Sequence, residues 1–424
     1  MEQKKNEWMY PVMSFVMIGY AVQALYRCMK LAWFEVMNCD SYAITEFLIN
    51  YQGGYVRRGL TGELLYRMAH TFPSIDPRYY IVSVCLISFC FLIWYLLSNF
   101  HQSKLCWWFL PLNVCIAGAF ALIRKDFICC VLIICILALY TKIKSSWLRI
   151  LSISISLIVS LNIHECIFFM IVPFILLLFL RDIGYNFIQR FVGISIPLIC
   201  MGIVCLCKGN EQIAESIWNS WCFIYDDFSF TPPQASIDAI SWETFDTLYS
   251  HFRLNFLTRY FIVYGWYSKP IIWLLVVFIM PNILFRKRNW ETNISSPDIT
   301  RMLGIMMFQF LSLVPMFTLL SCDGSRICFY WTVSTLLIYF SIPHDVYLRI
   351  APRILTNAAS YLQKTIFFKK STIISVLLLL VICISPYWTS RESLRNSVIG
   401  TYAQTCYQCL KYLNIIPGDT KLPI

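Results

Sequence analysis

The sequence predicts an all-α fold: a polytopic transmembrane helical bundle of about eleven spans, with two long outer-face loops containing amphipathic helices. Three observations predict it. The 424 residues are 58% hydrophobic and only 13% charged, about half the charged share of an ordinary soluble domain, and the mean hydropathy is +0.64. Apolar runs recur along the whole chain, each long enough, at about 18 residues or more, to cross a hydrocarbon core of ~30 Å. Period-two alternation is absent, which argues against an outer-membrane barrel. A backbone surrounded by lipid has to satisfy its own hydrogen bonds, so the runs read as helices.

The expected spans are 9–31, 79–99, 105–123, 127–142, 148–163, 166–180, 190–207, 270–286, 303–320, 327–342 and 371–388. The charged stretch Met1–Glu7 precedes a long aromatic run from Trp8 without a small-residue cleavage site, so it reads as an uncleaved anchor rather than a signal peptide. Very short turns within 105–142 and 148–180 mark helical hairpins. The basic loops then fall on one side: Lys4 and Lys5, then Lys142, Lys144 and Arg149, then Arg181 and Arg190. Arg286, Lys287 and Arg288 follow there, and after them Arg349, Arg353, Lys364, Lys369 and Lys370. By the positive-inside rule that side is cytoplasmic. The N-terminus is then cytoplasmic and the C-terminus lies at the outer, periplasmic face of a bacterial inner membrane. Residues 1–424 read as one integral membrane domain, with outer loops at about 32–78 and 208–269. The second loop is rich in Trp218, Trp221, Phe223, Tyr225 and Phe228, and Pro232-Pro233 breaks any helix there. The basic stretch 343–370 reads as a surface helix on the inner face, against anionic membrane lipids.

The net charge of +11 is explained in part by those loops, so nucleic acid is not an expected partner. The nineteen cysteines lie mostly inside apolar runs, as Cys85, Cys129 and Cys130 do, where they act as small hydrophobes. No zinc-ligand spacing appears, and no metal or cofactor is expected. Cys406 and Cys409 form a lone C-x-x-C, readable as a redox pair or a structural disulfide.

Four short segments carry the polar chemistry, and the expected topology puts all of them on the outer face. In Gln52–Glu63, four glycines frame Arg57 and Arg58, a setting in which forked donors approach phosphate oxygens, and Glu63 follows. Arg124, Lys125 and Asp126 sit in a turn too short to be a solvated loop, and charges at the bilayer edge are costly and usually functional. His164 and Glu165 end the fifth span, a pairing suited to acid–base work, without the second spaced histidine of a zinc protease. Asp323 and Arg326 flank another short turn. The long outer loop adds Arg253 and Arg259, with aromatic and acidic residues suited to a glycan platform. Cations gathered at the outer face, against the usual bias, point to an anionic lipid-linked substrate.

The stretch Val56–Gly62, the His-Glu then Phe-Phe and Pro run of 164–173, and the Asp-Gly-x-Arg turn of 323–326 resemble bacterial O-antigen and capsular polysaccharide polymerases, within the wider GT-C-type membrane glycosyltransferases. The likeness is mainly architectural. GT-C enzymes carry a catalytic acid in the first outer loop; Asp40, Glu46 and Glu63 stand there without a diagnostic paired-acid setting. The resemblance implies polymerisation of polyprenyl-pyrophosphate-linked oligosaccharide repeat units, with a chain-length regulator as a further partner. Arg57, Arg58, Arg124, Lys125, Arg326, Arg253 and Arg259 would hold the pyrophosphate. His164, Glu165, Asp126, Glu63 or Asp323 would supply acid–base catalysis. The rival readings are a GT-C transferase using a polyprenyl-phosphate sugar, a lipid-linked glycan flippase or transporter, and a membrane acyltransferase resting on His164.

Overall fold

A computed structural model describes residues 42–103, 123–224, 236–254, 296–321 and 324–366, with the isolated residues 407, 410 and 415. The expected spans 9–31, 270–286 and 371–388, and all but the last residue of 105–123, lie outside the described residues, as do Asp323, Arg259 and the C-x-x-C pair. Among the described residues the regular structure is entirely helical. Four helical stretches among the described residues are long and apolar enough to cross a membrane: Pro77–Leu96, Ser146–Ile163, Phe187–Leu206 and Thr300–Leu320, beside the shorter apolar helix Cys166–Arg181.

In chain order the helices are α1 (Tyr42–Leu48), α2 (Gly59–Thr71), α3 (Pro77–Ser103), α4 (Asp126–Lys142), α5 (Ser146–Ile163), α6 (Cys166–Arg181) and α7 (Phe187–Leu206). Then come α8 (Glu211–Trp221), a 3₁₀ turn at Asp238–Ile240, α9 (Thr244–Phe252), α10 (Ser296–Pro315), α11 (Gly324–Ser341), α12 (His344–Ile350) and α13 (Arg353–Ile366). Pro315 ends the regular hydrogen bonding of α10, and Met316–Leu320 continues as a widened π turn.

Helices α4, α6 and α11 form the centre of the bundle. Their apolar character runs all round, as expected of helices enclosed by others, and Phe127, Ile133, Ile171, Phe174, Trp331 and Leu337 are fully enclosed. Helices α5 and α7 pack on each other at the periphery. They expose Leu151, Ile155, Ile158 and Phe191, Ile199, Ile203 on their outer faces. A continuous exposed apolar face on long helices is what hydrocarbon lipid, not water, accommodates. The bundle is that of a multi-pass membrane protein.

The described parts of the two segments expected as long loops are not open loops. Residues 42–72, 207–224 and 236–240 fold onto each other as a cap over one end of the bundle. An apolar cluster of Phe47, Val56, Ile217, Trp221 and Ile237 fills it. Trp221 Nε1 donates to Leu48 O at 2.9 Å, Asn50 Nδ2 donates to Ser220 Oγ at 2.8 Å, and Ser236 N donates to Thr45 Oγ1 at 3.0 Å. Asn210 caps α8 through Ile213 N. The expected surface helix at 343–370 is two helices, broken between Ile350 and Arg353 at Pro352.

The glycine frame serves packing as much as it serves a ligand. A Cβ at Gly62 would stand 2.0 Å from Ile49 O and 2.8 Å from Phe47 O, so only glycine lets the first turn of α2 lie against the 47–49 backbone. Immediately before that helix, Arg58 adopts the left-handed conformation, φ 64° and ψ 4°, a strained state for a residue with a side chain. The strain is held by Lys125, whose Nζ donates to Arg58 O at 2.9 Å, and by the ion pairs of Arg58 described next.

Candidate functional site: a cationic cavity under the cap

Four helices begin at the capped end, α2, α4, α6 and α11, and α5, α7 and the Met316–Leu320 turn finish there. The short turns expected to carry chemistry therefore meet in space. Arg58 Nε lies 2.9 and 2.7 Å from the two oxygens of Glu165, its terminal nitrogen closes a fork on the same carboxylate, and Nη1 reaches Glu46 Oε1 at 3.3 Å. Arg326 makes a second fork on Asp126, at 2.7 and 2.6 Å, and Tyr330 OH donates to the same carboxylate at 2.6 Å. His164 ties the two forks together. Its Nε2 lies 3.2 Å from Glu46 Oε1 and 3.2 Å from an Arg326 nitrogen, and its Nδ1 accepts from Cys166 N–H at 3.1 Å. Glu46, Asp126 and His164 are almost wholly enclosed.

Charge governs this cluster. Taking carboxylates from water into a protein interior raises their pKa unless cations compensate. Burial opposes the charge of Glu46, but His164, Arg326 and Arg58 outweigh it and hold the carboxyl well below the usual range. Burial likewise opposes Glu165, and Arg58, His164 and Arg57 hold it well below. For His164, burial disfavours the cation, yet Cys166 and Glu165 carry its pKa up to about 9. Nδ1 accepts the Cys166 amide only in the neutral ring; in the imidazolium its proton would be shared with Glu165 Oε2, 3.5 Å away, in place of that bond. Burial pushes Lys125 down to about 8, with Glu46 working against the shift.

Even without His164, five cations (Arg57, Arg58, Arg124, Lys125 and Arg326) stand with three carboxylates (Glu46, Asp126 and Glu165), a surplus of at least two positive charges. That surplus borders a cavity of about 550 Å³, lined by Arg57, Arg58, Arg124, Arg326 and Lys208 on its charged side. Arg57 remains underused: its Nη1 lies 3.7 Å from Glu165, and its buried Nε has no hydrogen-bond partner. The rest of the wall comes from spanning helices (Phe169, Met201, Val204, Met316) and from the cap (Trp242, Thr247). An anion with an apolar tail matches such a surface.

The structure redistributes several roles expected from sequence. Glu63 is outside the cluster; it pairs with Arg67 at 2.8 Å, accepts from Gln52 and from Tyr51 N–H, and so holds the 51–54 turn. Lys125 is fully enclosed and engages the Arg58 carbonyl, not the cavity. Asp126 and Glu165 hold arginines. Arg326 is held by Asp126 from α4, and Arg253 is exposed at the end of α9, away from the cavity lining. Glu46, noted in the sequence only as one of three acids of the first outer loop, stands at the centre, and Tyr330 was not singled out.

Asp126, His164 and Cys166 bring ligand atoms within 4.8 Å of one another. They fit a metal poorly: Asp126 is forked by Arg326, whose guanidinium also lies 3.2 Å from His164 Nε2, so a cation there would meet a fixed positive charge.

Among known proteins, a family model described as the uncharacterised membrane protein Rv1490 matches residues 15–169, less than half of the chain. The matched stretch includes Glu46, Arg57, Arg58, Arg124, Asp126, His164 and Glu165 and stops short of Arg326. No curated protein and no solved structure matches the chain.

Proposed function

We propose that this protein is an envelope polysaccharide polymerase, a glycosyltransferase joining polyprenyl-pyrophosphate-linked glycan repeat units at the outer face of a bacterial inner membrane. The observation that carries the reading is the cationic cavity at the end of an apolar bundle opposite its basic loops. Lys142, Lys144, Arg149, Arg181, Arg190 and Arg349 belong to helix ends and turns at the other end. The positive-inside rule then makes that end cytoplasmic and the cavity external.

In this reading Arg57, Arg124 and Arg326 neutralise the pyrophosphate, and positive helix N-termini add to them. Charge developing on the leaving oxygens is stabilised by donors already in place. Arg58 is chiefly the keystone between Glu46 and Glu165. Apolar residues of α6, α7 and the Met316–Leu320 turn accommodate the start of the polyprenyl chain, and Trp242 and Thr247 border the glycan.

The test is the length profile of surface polysaccharide in a strain lacking the gene, complemented with wild type or with Arg57→Ala. A ladder restored by wild type and single-repeat glycan with the variant support polymerisation. An Arg57→Ala ladder matching wild type removes the arginine from the site. A glycan missing one sugar in the null strain replaces the reading with a single-sugar transferase using a polyprenyl-phosphate donor. Precursor accumulating on the inner leaflet replaces it with a flippase.

A further inference from the structure

A transfer to a hydroxyl acceptor needs a group to receive the proton, and the charged cluster is poorly suited to supply one. Glu46, Asp126 and Glu165 each accept from or pair with an arginine. A carboxylate held in that way gives up basicity. His164 has Nδ1 on the Cys166 amide and Nε2 against Glu46.

The cavity has a second histidine. His251 lines it together with Arg57, Arg58 and Arg326. It lies on α9, which packs against the widened Met316–Leu320 turn. His251 Nδ1 is 3.2 Å from Leu319 O. A carbonyl can only accept, so Nδ1 carries the proton and Nε2 keeps its lone pair; a backbone carbonyl fixing the tautomer in this way is a common orientation device. Burial depresses the imidazole pKa, partly offset by the Leu319 bond, so the ring is neutral near pH 7. The Met316–Leu320 turn facing it carries no titratable side chain. Asp246 shares its helix, with Glu243 before it and Arg253 after it. The cavity adds Arg57, Arg58, Arg124, Arg326, Lys208 and Glu165. This cationic majority keeps a neutral base neutral.

We propose that His251 is the general base of the transfer, an assignment that rests on the glycosyltransferase reading. The acceptor hydroxyl oxygen bonds to the anomeric carbon as the bond from that carbon to the pyrophosphate oxygen breaks. The leaving pyrophosphate keeps the electron pair and is met by the arginines. The hydroxyl proton passes to His251 Nε2 and from there to solvent.

The experiment uses the full chain in lipid nanodiscs, with the lipid-linked repeat unit as substrate and farnesyl pyrophosphate as a binding probe lacking sugar. His251→Gln retains an amide donor for Leu319 O but no base. Turnover is expected to fall about a hundredfold, the lower end for loss of a general base, and the limb of the pH profile set by His251 is expected to disappear. Farnesyl pyrophosphate binding is expected to stay close to wild type, and added imidazole is expected to restore part of the turnover of His251→Gly. Turnover of His251→Gln close to wild type overturns the proposal, as does loss of probe binding in step with turnover. A wild-type protein that neither binds the probe nor transfers glycan sinks the glycosyltransferase reading itself, an outcome distinct from failure of His251 alone.

Discussion

The two ends of the bundle both carry arginines and use them differently. At the end with the basic loops, arginines close off helix termini. Arg149 Nε donates to Ile143 O at 2.8 Å, and its guanidinium lies over Tyr140 and Tyr185. Arg181 reaches the carbonyls of Ile350 and Ala351, and Arg190 those of Tyr185 and Asp182. These contacts satisfy carbonyls that a helix end leaves without partners. Under the cap, Arg58 and Arg326 instead fork onto enclosed carboxylates from other helices, beside a cavity that Arg57 and Arg124 also line. Buried carboxylates are expensive to keep, and a membrane protein has cheaper ways to close helix ends. In the proposed reading, the contrast separates arginines that hold a structure from arginines that would hold a ligand.

Arg58→Ala breaks the comparison most severely. It removes the fork on Glu165, leaving that carboxylate only the longer contacts to Arg57 and His164, and removes one partner of Glu46; removing one member of a buried pair costs about 3–5 kcal/mol. A large drop in thermal unfolding temperature in detergent is expected, and an unchanged temperature would remove Arg58 from its keystone role. Gly62→Ala comes next: with Ile49 O in the way, α2 has to shift, at a cost of about 1–3 kcal/mol for overpacking. Cap stability measured by hydrogen exchange in 42–72 is expected to fall, whereas the distal end is unaffected.

Lys125 sharpens the contrast through pH. Its folded pKa of about 8 lies below the ordinary 10.5, so the unfolded chain binds the proton more tightly. The penalty of the buried cation is complete below pH 8 and is relieved as pH rises from 8 toward 10.5. Stability of wild type relative to Lys125→Met is therefore expected to climb across that window; a difference that stays flat would place Lys125 in a wetter setting. The smallest effect is expected from Arg149→Ala at the other end: about 1 kcal/mol of stability for its lost hydrogen bonds, with glycan length distribution unchanged.

Much of the bundle was legible because apolar runs are local information. The runs at 79–99, 148–163, 190–207 and 303–320 became helices with ends displaced by a few residues, or by about two turns at the start of α10. That Arg58, Arg124, His164 and Arg326 share one end followed from counting helix reversals. Which charge meets which did not follow, because partners lie far apart in sequence. Arg58 and Glu165 are 107 residues apart, and Arg326 and Asp126 are 200 apart. Asp126 is adjacent in sequence to Arg124 and Lys125, but helix packing turns it toward Arg326 on α11. Glu63 was misplaced for the opposite reason: its partner Arg67 stands one helical turn away, a spacing that signals a local pair. His251 carried no local signal, since its setting is made by a turn 68 residues further on.

The most direct measurement is binding of farnesyl pyrophosphate to the protein in nanodiscs, comparing wild type with Arg57→Ala, Arg326→Gln and Arg149→Ala. The account predicts that wild type and Arg149→Ala bind alike, that the two cavity variants bind about tenfold or more weakly, the equivalent of about 1.4 kcal/mol, and that binding weakens with added salt. Equal binding by all four proteins, or none by wild type, would contradict the assignment of the capped end as a lipid-pyrophosphate site.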